Sequence, residues 1–204
     1  KEFVRFVKEL KPIWFVLENV KGITSINQGD TQHLIEDCFR ELGYKVKSKV
    51  LCASDYGVPQ NRHRFFMVGN RLNIDFDFPK EAEIKVSVND AISDLPSLTN
   101  GEMLENAPYT RPISETSEYI KLMRGESVFA TQNYVSYETE PKEFAGYDLV
   151  IERYKHIKQG ENWRAIPEHL MQNYADKGRC HSGIYKRLIA DAPSVVISNY
   201  RKSM

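Results

Sequence analysis

The chain has 204 residues, is 41% hydrophobic, and balances 28 Lys+Arg against 28 Asp+Glu for a formal net charge of zero. That is room for one large domain or two small ones with ordinary apolar content, and no apolar run approaches the ~20 residues that cross a bilayer. The opening Lys1-Glu2-Phe3-Val4-Arg5 has neither the apolar core nor the cleavage site of a signal peptide, and the lack of an initial Met leads us to expect that the chain begins inside a longer protein. Cys38, Cys52 and Cys180 are an odd set without close pairs, which excludes a disulfide framework and a zinc site and makes a reducing cytoplasm the expected location.

The zero average hides a pattern. Residues 1–72 hold twelve Lys/Arg against eight Asp/Glu, residues 73–148 hold six against fifteen, and residues 149–204 hold ten against five. Phosphate contacts need local cations rather than a positive total, so a nucleic-acid partner stays open.

Residues 1–10 place Phe3, Val4, Phe6, Val7 and Leu10 at helical spacing, and Pro12 ends that helix. Ile13-Trp14-Phe15-Val16-Leu17 is a continuous apolar run, as in a strand covered on both faces. Residues 31–42 form a second helix with Leu34, Ile35, Cys38, Phe39 and Leu42 on one face and Gly43 at its end. Residues 44–53 alternate like a strand, 55–59 are turn chemistry, and 65–69 are another buried strand. Strand, helix, strand, strand fits the end of an α/β sheet that closes in an antiparallel hairpin. From residue 80 the texture becomes acidic, polar and weakly periodic, with helices expected over 87–95, 117–123 and 148–157. The chain turns basic near residue 179 and apolar again at Val195-Val196-Ile197.

Two segments carry chemistry. Phe15-Val16-Leu17-Glu18-Asn19-Val20 sets a carboxylate at the C-terminal tip of a strand, where open α/β sheets place ligand-contacting groups. In Gly57-Val58-Pro59-Gln60-Asn61-Arg62-His63-Arg64, residues Gln60, Arg62 and Arg64 alternate and would share a face in extended backbone. Two adjacent guanidiniums call for an anion or a carboxylate between them; a solvated basic edge strand is the alternative.

Together, Glu-Asn-Val and, about forty residues later, Gly-Val-Pro-Gln-x-Arg-x-Arg resemble the sixth and eighth of the ten ordered motifs of DNA (cytosine-5) methyltransferases. Residues 34–50 match the loosely defined seventh, and Ile92-Ser93-Asp94-Leu95-Pro96 is similar to the segment after the hairpin. Glu161-Asn162-Trp163-Arg164-Ala165-Ile166-Pro167 is similar to a stretch in a bacterial branch. His181-Ser182-Gly183-Ile184-Tyr185-Lys186-Arg187-Leu188 with Asp191-Ala192-Pro193-Ser194 resembles the ninth motif. Only residues 101–146 are unmatched, where members differ because that region reads the target sequence.

The resemblance implies an α/β fold: part of a Rossmann-like, S-adenosylmethionine-dependent methyltransferase sheet, then a mixed, loop-rich recognition domain. Residues 1–79 would be the C-terminal half of the catalytic domain, 80–178 the target-recognition domain, and 179–204 the segment leading back. The implied reaction moves a methyl group from S-adenosylmethionine to C5 of a cytosine flipped out of double-stranded DNA. A cognate restriction endonuclease acting on the same site is an implied partner, and the origin would be bacterial or phage. The family's Gly-rich cofactor loop and Pro-Cys nucleophile would precede Lys1, and its tenth motif would follow Met204; no cysteine here follows a proline. The chain alone is therefore expected to be inactive, and to self-associate through its uncovered strand edge.

Thiolate addition at C6 of cytosine drives negative charge toward N3 and O2, so a catalyst needs a donor at one and a cation at the other. The resemblance gives Glu18 to the N3 edge, in protonated form favoured by an apolar site. Arg64 is the first candidate for O2, and Arg62 is the alternative or orients Glu18 or the phosphate. Gln60 contacts the DNA backbone or holds the turn, and Asn19 is structural, bracing the Pro-Cys loop or serving as a turn residue. Lys177, Arg179, Ser182, Tyr185 and Arg187 are candidate DNA contacts, with His181 and Lys186 nearby. Thr131, Gln132 and Asn133 are available to read bases. The alternative function is a non-catalytic DNA-binding or regulatory protein that retains the recognition half of this fold.

Overall fold

A computed structural model describes residues 2–98, 106–125, 134–136, 147–174 and 182–196. The chain divides into two compact units, Lys1–Lys85 and Val86–Met204.

In the first unit, α1 (Glu2–Leu10) leads into β1 (Trp14–Val20), α2 (Asp30–Glu41), β2 (Lys45–Cys52) and β3 (His63–Asn70). The strand order is β1-β3-β2, and β3 runs antiparallel to both neighbours. The strands match the expected ones and are longer for β1 and β3, because ladder pairing carries each beyond its apolar centre. Helix α2 stops where Gly43 takes φ +84°, a conformation that costs glycine little.

The sheet has one covered face. Phe15, Phe65 and Met67 pack with Val7 of α1, Phe39 of α2, Ile23 and Tyr44 into a single core. The Phe15 ring centroid lies 4.4 Å from that of Phe39 and 5.2 Å from that of Tyr44. The Tyr44 hydroxyl donates to the Pro12 carbonyl at 2.7 Å, so its polar tip is satisfied. On the other face Val16 is 61% exposed and Val20 55%. The expectation of a strand covered on both faces is thus corrected: within the first unit α1 and α2 lie on one side only, and the apolar run of β1 continues onto the other.

Residues 71–85 run back along that open side as a strap. The Asn70 side chain shapes its start, accepting from the amides of Leu72 and Ile74 and donating to the Ile74 carbonyl. Lys45, Lys47 and Lys49, on one face of β2, pair with Asp75, Asp77 and Glu81. Lys85 pairs with Asp55 at 2.8 Å, and the Ala82 amide donates to the Asp55 carbonyl at 2.7 Å. Each exposed pair is weak and screened by salt. Together they tie the strap to β2 and to Asp55 within the first unit.

The second unit holds α3 (Val88–Ile92), β4 (Asn106–Pro108), α4 (Glu118–Met123), β5 (Tyr134–Ser136) and α5 (Tyr147–Lys155). β4 and β5 pair antiparallel. Ser87 and Ser117 cap the two short helices by accepting from Asp90 and Ile120 amides. Buried Asp94 receives Nε of Arg124 at 2.7 Å, while that guanidinium stacks 3.7 Å from the Tyr109 ring centre. Residues 190–192 lie against α3, with Val88 N–H donating to Ala192 O and Asn89 N–H to Ala190 O.

Two outcomes check this packing. A Cβ at Gly69 would stand 2.3 Å from the Phe15 ring, so Gly69→Ala is expected to cost about 1–3 kcal/mol in urea unfolding through overpacking. Burial alone would raise the pKa of Glu36, but hydrogen bonds from Ser48, Gln32 and Arg40, with the Arg40 charge, hold it below its ordinary 4.5. Its contribution to stability is present above that value and lost as pH falls through the lower folded value. Glu36→Gln should flatten this part of the acid-unfolding profile.

Candidate base-binding site on the open sheet face

Register brings the sequence-predicted residues together. Val20 lies opposite Arg64 and Glu18 opposite Phe66, so Glu18 and Arg64 are diagonal neighbours across β1 and β3. Both project from the open face. Arg64 Nε stands 2.9 Å from Glu18 Oε1, with the arginine side chain 22% exposed and the carboxylate 50% exposed. Arg64 Nη1 donates to the His63 carbonyl at 2.8 Å, which holds the guanidinium flat against its own strand. Nη2 makes no hydrogen bond within the described residues.

The Glu18 carboxylate is half exposed and already paired with a cation.

The backbone after Glu18 turns away at once. Asn19 lies on the other side of the strand, and its side-chain oxygen accepts from the Val20 amide at 2.8 Å. Residues Lys21–Thr24 and Ile26–Gly29 form two 3-10 turns, anchored by buried Ile23. This crossover holds no glycine-rich cradle of the kind that receives a cofactor.

Gln60 and Arg62 precede β3, which begins at His63. The extended alternation is thus shorter than expected, with Gln60 in a turn where its amide donates to the Val58 carbonyl at 2.7 Å. Arg62 and Arg64 nevertheless line one cleft of about 430 Å³, together with Leu51, Tyr56, Phe66 and Pro79. No side-chain hydrogen bond or ion pair engages the Arg62 guanidinium among the described residues.

Of the basic segment, Lys177, Arg179 and His181 lie outside the described residues, as do Thr131, Gln132 and Asn133. The carbonyl of Ser182 accepts from Asn162 Nδ2 at 3.0 Å. Arg187 donates through Nη2 to the Tyr154 carbonyl at 3.0 Å, and Lys186 donates to the Gly160 carbonyl. The Tyr185 hydroxyl accepts from Arg153 Nη1 at 2.9 Å, and its ring packs edge-on against Tyr154. Arg153 was not singled out in the sequence: it is 3% exposed and also donates to the Leu170 carbonyl and the Asn173 side chain. The apolar spacing of its helix held the only local hint that it turns inward.

The model of the C-5 cytosine-specific DNA methylases matches residues 1–194. The chain belongs to this family. It is 31% identical over 199 residues to the Type II methyltransferase M1.HphI of Haemophilus parahaemolyticus, covering 97% of this chain and 44% of that protein. It is 33% identical to M.DdeI of Desulfomicrobium norvegicum over 89% of this chain and 44% of that protein. With M.MthTI of Methanothermobacter thermautotrophicus the identity is 45% over half of this chain and 34% of that protein. The chain therefore spans less than half the length of these relatives. A prophage-encoded E. coli protein described as a DNA modification methyltransferase shares the fold, with a TM-score of 0.62 at 22% identity over 95% of this chain and 55% of that one. The family and the fold confirm the α/β methyltransferase reading.

An exposed pair such as Glu18–Arg64 contributes about 0–1 kcal/mol. A double-mutant cycle of Glu18→Gln with Arg64→Met, read by urea unfolding, should therefore give a coupling energy within that range. A larger value would mark the pair as a folding element.

Proposed function

We propose that the complete protein transfers a methyl group from S-adenosylmethionine to C5 of a flipped-out cytosine in double-stranded DNA, and that this chain supplies the base-holding and sequence-reading half. The observation that carries this reading is the Glu18–Arg64 pair, 2.9 Å apart on the uncovered face at the C-terminal end of β1, in a chain of the cytosine-5 methylase family.

The roles follow from charge. When a thiolate that this chain does not supply adds to C6, the ring gains negative charge at N3 and O2. Glu18 holds N3 and the exocyclic amino group. Arg64, already anchored by Nε and Nη1, directs Nη2 at O2. Such a preset donor costs no reorganisation as the charge develops. The half-exposed carboxylate becomes enclosed when the base and the rest of the cleft cover the sheet face. Arg62 takes a phosphate beside the target, and Gln60 contacts the backbone there. Asn19 braces the strand end.

The second unit recognises the DNA. Ser182, Arg187, Lys177 and Arg179 are assigned to phosphates, with Tyr185 positioning that segment. Hydrogen bonds between residues 160–163 and 182–187 support this by making one scaffold of the two segments. A restriction endonuclease reading the same sequence is the expected biological partner. The apolar residues left exposed on α1 and β1, among them Phe6, Leu10 and Val16, support self-association of the isolated chain. No helix among the described residues is long and apolar enough to cross a membrane.

The test is methyl transfer from labelled S-adenosylmethionine to host DNA by the complete protein, with the product base identified. We expect 5-methylcytosine at one short sequence, and a loss of at least about 100-fold in kcat for Glu18→Gln, the scale of removing one preset transition-state donor. Methylated adenine, methylated tRNA, or a wild-type rate for Glu18→Gln would overturn the reading. DNA binding without any transfer would favour the non-catalytic alternative.

A further inference from the structure

The cleft on the far side of Arg64 from Glu18 has properties that the target-base role does not use. Glu18 stands on β1, Arg64 on the central β3, and Leu51 on β2, so Arg64 separates two spaces. We propose that the cleft walled by Leu51, Tyr56, Phe66 and Pro79 is a second nucleotide site, which takes one unstacked nucleotide of the bound strand beside the target cytosine, its base against the apolar walls and its phosphate on Arg62.

The cleft, at about 430 Å³, falls in the size range of small-ligand pockets. Its walls are aliphatic and aromatic, which suits the flat face of a base of any sequence. Its charge is the discriminating feature. Arg64 is committed to Glu18 and the His63 carbonyl, whereas Arg62 has no partner among the described residues. An arginine left unpaired beside apolar walls is complementary to an anion that brings an apolar body with it.

The cleft is also built. The Tyr56 hydroxyl donates to the Pro79 carbonyl at 3.4 Å, and the strap that carries Pro79 is tied to Asp55 by Lys85 and by the Ala82 amide. Three acidic side chains of the strap, Asp75, Asp77 and Glu81, pair with Lys45, Lys47 and Lys49. None of the strap's carboxylates forms an ion pair with Arg62 among the described residues. That the nucleotide belongs to DNA rests on the proposed function; the preference for a nucleotide does not.

The experiment titrates the 204-residue chain with deoxycytidine monophosphate, deoxycytidine and inorganic phosphate, following amide resonances by NMR. The nucleotide should shift Leu51, Tyr56 and Phe66, with a Kd at least about tenfold below that of either part, since stacking and the charged contact act together. Arg62→Gln should bring the nucleotide to the affinity of deoxycytidine, and Tyr56→Leu should bring it toward that of phosphate, with the remaining amide spectrum of each variant unchanged. Equal affinity for phosphate and nucleotide, or no saturable shift at millimolar nucleotide, overturns the second site. Shifts centred on Glu18 and Val20 also overturn it. In each case the methyl-transfer reading is decided separately by the product formed on DNA.

Discussion

The close approach of Phe15 to Gly69 governs much of the first unit. These residues sit opposite each other on β1 and β3, and only a residue without Cβ leaves room for the ring. With the ring seated, Phe15 reaches Phe39 and Tyr44 and the core closes beneath the sheet. Side chains alternate with period two along each strand, so a one-residue slip would invert every face. The same register that buries Phe15 therefore sets Glu18 diagonal to Arg64 on the opposite face. The fold and the candidate site depend on a single pairing decision.

Two arginines two residues apart have different surroundings, and this separates their chemistry. Arg64 lies within β3, held by Glu18 and by the carbonyl of His63. Arg62 lies in the loop that enters the strand, with its guanidinium unengaged among the described residues. A fixed arginine suits a charge that develops at one place, and an unengaged one suits an anion that arrives with the ligand. The lysine ladder of β2 engages Asp75, Asp77 and Glu81 of the strap, and none of these carboxylates pairs with Arg62.

Among the described residues of the second unit, guanidiniums join several segments of backbone. Arg124 ties Asp94 to the Arg111 carbonyl and to the Tyr109 ring. Arg153 ties α5 to residues 170–173 and to Tyr185. Five donors in a rigid plane let one side chain satisfy several distant acceptors, a cheap way to order irregular backbone. A buried arginine whose partner is cut away leaves an uncompensated charge, so such joints are strong only while complete.

The sequence by itself determined the elements of the first unit, since helical spacing from Phe3 to Leu10 and from Leu34 to Leu42, alternation in β2, and Gly43 as a stop are local signals. It also determined the family, because Glu18-Asn19-Val20 and Gln60-Asn61-Arg62-His63-Arg64 keep their order and spacing. It did not show that β1 is covered on one side only, because an apolar run reads alike whether its second face meets helices or is left open. Nor did it separate Arg62 from Arg64, which alternate identically on paper; only the start of β3 and the position of Glu18 across the sheet distinguish them. The inward turn of Arg153 and the pairing of Lys45, Lys47 and Lys49 with the strap were likewise decided by tertiary structure. Each depends on partners 17 to 32 residues distant, and one-dimensional periodicity carries no information about which polar group a cation will meet.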